Sequence, residues 1–172
     1  MKNFSKVVIT GPESSGKTTL CRDLARYFNA EMVDEYARQY LNLMGSSYTV
    51  DDLYIIAERQ IEYEIKLKNQ TLIFCDTDLL TMHIWMQEKF KITDLNFAQN
   101  LEDYHDRIYF LCKPDIPWEY DPLRENSEDR DRLFSIYENT LKEYKLKYHI
   151  IKGADFESRF NFAKKLVIDL LK

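Results

Sequence analysis

Between Gly11 and Thr18 the chain reads Gly-Pro-Glu-Ser-Ser-Gly-Lys-Thr. This is the spacing G-x-x-x-x-G-K-[ST], which lets successive backbone N–H groups curl into an anion nest at a helix N-terminus. Gly11, Glu13, Ser14, Ser15 and Gly16 would form that cradle, with Thr19 just beyond it. Lys17 can reach the β- and γ-phosphates of a nucleoside triphosphate, and the Thr18 hydroxyl can ligate Mg²⁺. The chemistry these residue types point to is binding of a nucleoside triphosphate with Mg²⁺.

Four carboxylates fall where such a site needs them. Asp76 follows the apolar run Thr71-Leu72-Ile73-Phe74-Cys75 and would complement Thr18 at the metal; the alternative is a solvated turn or a helix cap. Asp78 either caps the next helix or binds the acceptor. Asp34 and Glu35 end a short strand, and a kinase acting on a hydroxyl wants a carboxylate there to orient it and take its proton. Glu35 is the expected base; both residues would also be favoured at a helix N-terminus by the dipole alone. Arg38 either contacts substrate or pairs with Asp34 one turn back. Arg124, Arg130 and Arg132 lie in a polar stretch after the fourth strand, where a lid would neutralise the transferring phosphoryl group; for any one of them the alternative is a solvated loop. That stretch also carries Asp121, Glu125, Glu128, Asp129 and Asp131, so it is no basic patch. Trp118 is an aromatic platform or ordinary packing, and Trp85, at helical spacing with Met82 and Met86, reads as core. His83, His105 and His149 have no metal-ligand spacing.

The elements that must position these groups follow from periodicity. Lys6 to Thr10 is a short β-branched strand, and the helix after the loop runs from Thr19 to Phe28, near Asn29. Glu31-Met32-Val33 is a second strand, followed by a helix through Tyr36, Ala37, Tyr40 and Leu41 that Gly45-Ser46-Ser47 stops. Thr49 and Asp52 suggest a capping box for a helix facing inward through Leu53, Ile56, Ala57, Ile61 and Ile65. Strands are expected over 71–75, Arg107 to Cys112 and Tyr148 to Ile151, with helices over Leu79 to Phe90, Phe97 to Tyr104 and Arg130 to Leu146. Asp155 would cap a last helix whose apolar face is Phe156, Phe160, Ala163, Val167 and Leu171. Strands alternating with helices predict an α/β P-loop fold: a five-stranded parallel sheet in the order 2-3-1-4-5, helices on both faces, ligands at the strand carboxyl ends. Residues 1–172 are expected to form one such kinase domain, with 114–132 as a short lid.

Bulk composition narrows the classes. At 172 residues, 45% hydrophobic and 31% charged, the chain can bury a core without disulfides or metals. A net charge of −5 argues against a general nucleic-acid binder. Cys21, Cys75 and Cys112 sit inside apolar patterns and read as reduced core thiols. With no apolar run of membrane length and no leader-like core, a cytoplasmic protein without membrane partner is expected.

Four motifs in order resemble the ribosylnicotinamide kinase domain of the NadR family: Gly11 to Leu20, Glu35-Tyr36-Ala37-Arg38-Gln39-Tyr40, Asp76-Thr77-Asp78, and Pro117-Trp118-Glu119-Tyr120-Asp121-Pro122-Leu123-Arg124, with Asp129-Arg130 fitting the family's lid. The resemblance implies phosphorylation of the 5′-hydroxyl of nicotinamide riboside by ATP and Mg²⁺, in NAD synthesis. It implies catalytic roles for Lys17, Glu35, Asp76, Arg124 and Arg130, and substrate contacts from Asp34, Glu35, Tyr36, Arg38, Asp78, Trp118 and Asp121. The family joins this kinase to an adenylyltransferase, whose His-x-Gly-His motif none of the three histidines fits, and places Trp where this chain has Asp34. Other expectations remain open beside it: a kinase for a different nucleoside or nucleotide, or a nucleotide-dependent switch.

Overall fold

The computed structural model describes residues 6–45, 47–124 and 128–172; Ser46, Glu125 and the residues before Lys6 lie outside the described residues. In chain order these form β1 (Lys6–Thr10), α1 (Lys17–Phe28), β2 (Glu31–Val33), α2 (Tyr36–Met44), α3 (Val50–Lys66) and β3 (Ile73–Asp76). There follow α4 (Leu79–Phe90), α5 (Leu95–Glu102), β4 (Arg107–Cys112), α6 (Arg130–Glu143), β5 (Tyr148–Ile151) and α7 (Phe156–Leu170). The sheet order is β2-β3-β1-β4-β5, and every pairing is parallel, as the alternation of strands and helices requires.

The central strands are apolar on both faces because helices cover both. On one side Val7, Ile9, Phe74, Phe110 and Ile108 pack against α1 and α7 through Leu20, Leu24, Ala163 and Val167. On the other, Val8, Cys75, Tyr109 and Leu111 meet Ile84 of α4, Leu101 of α5 and Leu141 of α6. A third cluster joins Ala37 of α2 to Ile56 of α3 and Met82 and Met86 of α4. Phe74 is fully buried in this packing, so truncating it to alanine would cost roughly 3–5 kcal/mol. The three cysteines are free and buried, and burial pushes each thiol up from its ordinary value.

Several bounds shift for local reasons. α1 starts at Lys17, inside the phosphate loop, and β3 ends on Asp76 itself. α5 begins at Leu95 because Asp94 caps it, its carboxylate accepting from Phe97 N at 2.8 Å. The Thr49–Asp52 capping box is present. The buried face of α3 continues through Gln60 and Glu64, while Ile65 is exposed. In α7 likewise, Arg159 joins Ala163 and Val167 in the buried face, whereas Phe156 and Leu171 are exposed. Polar residues displace the expected apolar ones because each reaches a buried partner: Glu64 pairs with Lys6 and Arg107, both at 3.1 Å.

Candidate active site

β1 delivers the chain to the phosphate loop at the carboxyl edge of the sheet. Gly11 has φ +133°, and a Cβ there would lie 2.7 Å from the Cys112 carbonyl of β4, so the loop can turn against that strand only with glycine. Ser14 is left-handed (φ 51°), the alternation that makes neighbouring N–H groups converge. The loop's carbonyls are taken up by donors. Pro12 O accepts from Ser15 Oγ at 2.7 Å and Lys17 Nζ at 2.8 Å. Ser14 O accepts from Arg130 Nη1 at 3.0 Å, and Ser15 O from Arg159 Nη2 at 2.9 Å. α1 has no side-chain cap and no acidic residue in its first turn, which leaves its positive end for an anion.

A cleft of about 320 Å³ opens above this loop, lined at one end by Gly11 to Thr19. Parallel register places Asp76 beside Ile9, one strand over from the loop. Asp76 is buried, and its Oδ1 has no hydrogen-bond partner. Burial pushes its pKa up, while the Thr18 side chain and the Lys17 charge oppose the shift. An orphaned carboxylate oxygen beside a threonine hydroxyl suits a hard cation such as Mg²⁺. Among the described residues no group of three or more His, Cys, Asp or Glu side chains is placed to hold a metal ion by itself, so the remaining ligands would be phosphate oxygens and water.

Glu35 sits at the N-cap of α2 and lines the cleft with its side chain only 15% exposed. Burial, reinforced by the Asp76 charge and opposed by Lys17 and Arg38, pushes its pKa up to about 7. The buried amide of Gln60 brackets it: Nε2 donates to Asp34 O at 3.3 Å and Oε1 accepts from Tyr36 N at 3.0 Å. Arg38 also lines the cleft, and its ion partners are Asp121 at 2.7 Å and Glu35 at 3.9 Å, not Asp34. Arg124 lines the cleft and donates to Glu119 O at 2.6 Å, with Ser14 Oγ at 3.5 Å.

The far end of the cleft is built from side chains of separate elements. The rings of Tyr48 and Trp85 stack with centroids 5.7 Å apart and planes at 30°, and both line the cleft. Lys89 Nζ lies 3.6 Å from the Tyr48 ring centroid, and Glu88 pairs with Arg132 at 2.7 Å. Tyr137 of α6, whose phenol burial pushes up, and Thr81 of α4 add hydroxyls to the wall.

Several expected site residues are not brought to this cleft. Asp78 is fully buried and faces β4: it caps α4 by accepting from Leu80 N at 3.0 Å, and it accepts from Arg107 Nη1 at 3.0 Å and Tyr109 OH at 2.7 Å. Of the two readings left open for Asp78, the structure has it as a cap whose oxygens also accept from Arg107 and Tyr109. Trp118 is half-buried, its ring centroid 6.0 Å from the Arg124 guanidinium and 5.7 Å from that of Arg130. Trp85, read from its spacing as core, does pack against the Ala37, Ile56, Met82 and Met86 cluster, and it lines the cleft as well. Tyr36 packs edge-on to Tyr63 at 5.7 Å, and the Asp34 side chain is exposed. Arg130 reaches the back of the loop, donating also to Ile116 O at 3.0 Å.

Sequence reasoning missed Tyr48, Gln60 and Arg159. Tyr48 sits in a loop without periodicity and carries no signal. Gln60 and Arg159 did have one, being polar residues on otherwise apolar helix faces.

The sequence profile of the family described as AAA domain matches residues 6–159. The chain belongs to the AAA domain family. It is also homologous to a protein described as the trifunctional NAD biosynthesis/regulator protein NadR of Salmonella typhimurium, 31% identical over 175 residues. That match covers 96% of this chain and 42% of the relative, so the chain spans less than half that relative's length. A crystal structure of NadR protein in complex with NR superposes with TM-score 0.77 at 24% identity, covering 97% of this chain and 51% of that one. Thymidylate kinase from Ehrlichia chaffeensis superposes with TM-score 0.68 at 18% identity, covering 99% and 100%. The shared architecture is the P-loop fold of nucleoside and nucleotide kinases. Among the described residues no helix is long and apolar enough to cross a membrane.

Proposed function

We propose that this chain is an ATP-dependent kinase acting on a small nucleoside, and that nicotinamide riboside is its acceptor, phosphorylated on the 5′-hydroxyl to nicotinamide mononucleotide. The observation that carries the kinase reading is Glu35: a cleft-lining carboxylate with its pKa pushed up to about 7, in the same cleft as Lys17 and the phosphate loop. A base is most effective when its pKa lies near the working pH. Homology to NadR over nearly the whole chain supports the choice of acceptor.

In this reading the loop amides and Lys17 hold the β- and γ-phosphates, and Lys17 exchanges its contact with Pro12 O for phosphate oxygens. Glu35 accepts the proton of the acceptor hydroxyl as that oxygen attacks the γ-phosphorus. The bond from the γ-phosphorus to the bridging oxygen breaks, and ADP leaves. Thr18 and Asp76 would hold Mg²⁺, which when bound supplies charge neutralisation on the phosphates. Arg124, at the cleft wall, adds positive charge where the phosphoryl group transfers. Residues 114–132 act as the lid, with the Arg38–Asp121 pair closing it onto α2. A flat ring suits the Tyr48–Trp85 stack at the far end, where Lys89 already lies over the Tyr48 ring and Arg132 already pairs with Glu88.

Asp34, standing where the NadR family carries tryptophan, favours one second reading: a different nucleoside in the same pocket, turned over by the same Lys17, Glu35 and Asp76. The deciding experiment screens nicotinamide riboside and the common nucleosides for ATP-dependent phosphorylation by the chain. Nicotinamide riboside is expected to give the highest kcat/KM. Preference for another nucleoside would reassign the acceptor, and no turnover with any would leave a nucleotide-dependent switch.

A further inference from the structure

Arg159 lies on α7, 144 residues from the loop carbonyl it touches, and has only 2% of its surface exposed. Its Nη2 donates to Ser15 O at 2.9 Å. Its Nη1 faces Lys113 O at 3.2 Å, Asp115 Oδ1 at 3.0 Å and, at 3.5 Å, Gly153 O. One guanidinium thus joins the phosphate loop, the exit of β4 and the turn between β5 and α7. The path to it is kept open by Gly153, whose φ is +132° and where a Cβ would meet Arg159 Cγ at 3.4 Å and Ser158 Oγ at 2.9 Å. Asp115 closes the arrangement, Oδ2 accepting from Gly153 N at 2.9 Å.

A phosphate nest works only if its N–H groups point at the ligand, which forces the intervening carbonyls to the opposite side. A carbonyl buried there without a donor would carry a desolvation cost, and the peptide plane could turn to relieve it. Ser15 is fully buried, so water is no substitute. We infer that Arg159 is a positioning residue for triphosphate binding: by holding the Ser15 carbonyl outward it keeps the following amide, that of Gly16, aimed at the phosphates. Arg130 does the same from α6 at the neighbouring Ser14 carbonyl. A guanidinium is required because several donors in one rigid plane must satisfy acceptors on three segments, which a lysine ammonium on a flexible stem does not reproduce.

This inference rests on the reading of the loop as an ATP site but not on the acceptor, so it is tested without one. Binding of ATP and of adenosine is measured by calorimetry for the parent chain, Arg159→Lys, Arg159→Met and Asp115→Asn, well below each variant's melting temperature. Loss of a charge-assisted hydrogen bond predicts ATP affinity lower by roughly ten- to a hundredfold in Arg159→Met. The deficit should be smaller in Arg159→Lys and smaller again in Asp115→Asn, which keeps the arginine but loosens it, while adenosine affinity stays unchanged in all. A purely structural role would lower the melting temperature and leave the ratio of ATP to adenosine affinity where it was; that result overturns the inference. Should Arg159→Met fail to fold, Asp115→Asn decides: an unchanged ratio there overturns it, and a reduced one supports it. Failure of the parent chain to bind ATP at all would instead sink the reading of the loop.

Discussion

At the phosphate-loop end of the cleft the groups facing a ligand are mostly main-chain amides on one continuous stretch, with Lys17 and Thr18 at its end. At the other end they are side chains from the loop before α3 (Tyr48), from α4 (Thr81, Trp85, Glu88) and from α6 (Tyr137). The first end is fixed by backbone geometry, and its carbonyls are held by Ser15, Lys17, Arg130 and Arg159. The second is fixed by packing, and its identity can change one side chain at a time. Damage at the two ends should therefore look different: lost triphosphate affinity at one, altered acceptor KM at the other, with Glu35 between them governing turnover.

The largest effect is expected at that meeting point. Glu35→Gln should lower kcat by about 10²–10⁴-fold while ATP affinity is kept, because the amide cannot take a proton. Since the base must be ionised and its pKa is pushed up to about 7, protonation below that value removes it. The kcat/KM profile should thus rise about tenfold from pH 6 to pH 8 in the parent chain and lose that limb in the variant. A parent profile flat across this range would remove Glu35 from the role of base. Next in size, Lys17→Ala should weaken ATP binding by about 10²-fold or more, with the melting profile and acceptor affinity intact; undiminished ATP binding would break the assignment of the loop end.

At the packed end the effects shrink. Trp85→Ala is expected to raise the acceptor KM by about tenfold and leave the ATP KM alone, the worth of one aromatic contact. If the ATP KM moves equally, the division of the cleft into two ends is wrong. The smallest change belongs to Trp118→Ala, which loses only partial contacts with Arg124 and Arg130 and should alter kcat by less than about fivefold. An acceptor KM raised tenfold in that variant would return Trp118 to the substrate pocket.

The same division explains what could be read from the sequence. The loop motif, the strand order and the position of Asp76 were legible because they depend on local spacing and on the alternation of strands and helices. Asp78 was read two ways, and the sequence could not choose between them. The choice depended on Arg107 and Tyr109, some thirty residues away, whose hydrogen bonds to Asp78 appear only once β4 lies beside β1. That Trp85 lines the cleft as well as packing against the core was hidden for a similar reason. Helical spacing with Met82 and Met86 marks a face but not its neighbour, and the Tyr48 loop that stacks on Trp85 is brought there by tertiary packing. Gln60 and Arg159 broke otherwise apolar stripes, a legible irregularity, but their partners are main-chain atoms that a sequence does not display.

The knot under α4 sets a boundary on how this pocket can change. Asp78 ties the first turn of α4 to Arg107 and Tyr109 of β4, and Arg107 is tied in turn to Glu64 of α3. The helix bearing Trp85 and Glu88 is therefore moored to the sheet at its root and cannot swing outward to admit a bulkier guest. Room for a different acceptor would have to come from exchanging single side chains along the cleft, Tyr48, Trp85 and Tyr137 among them, and not from moving this helix.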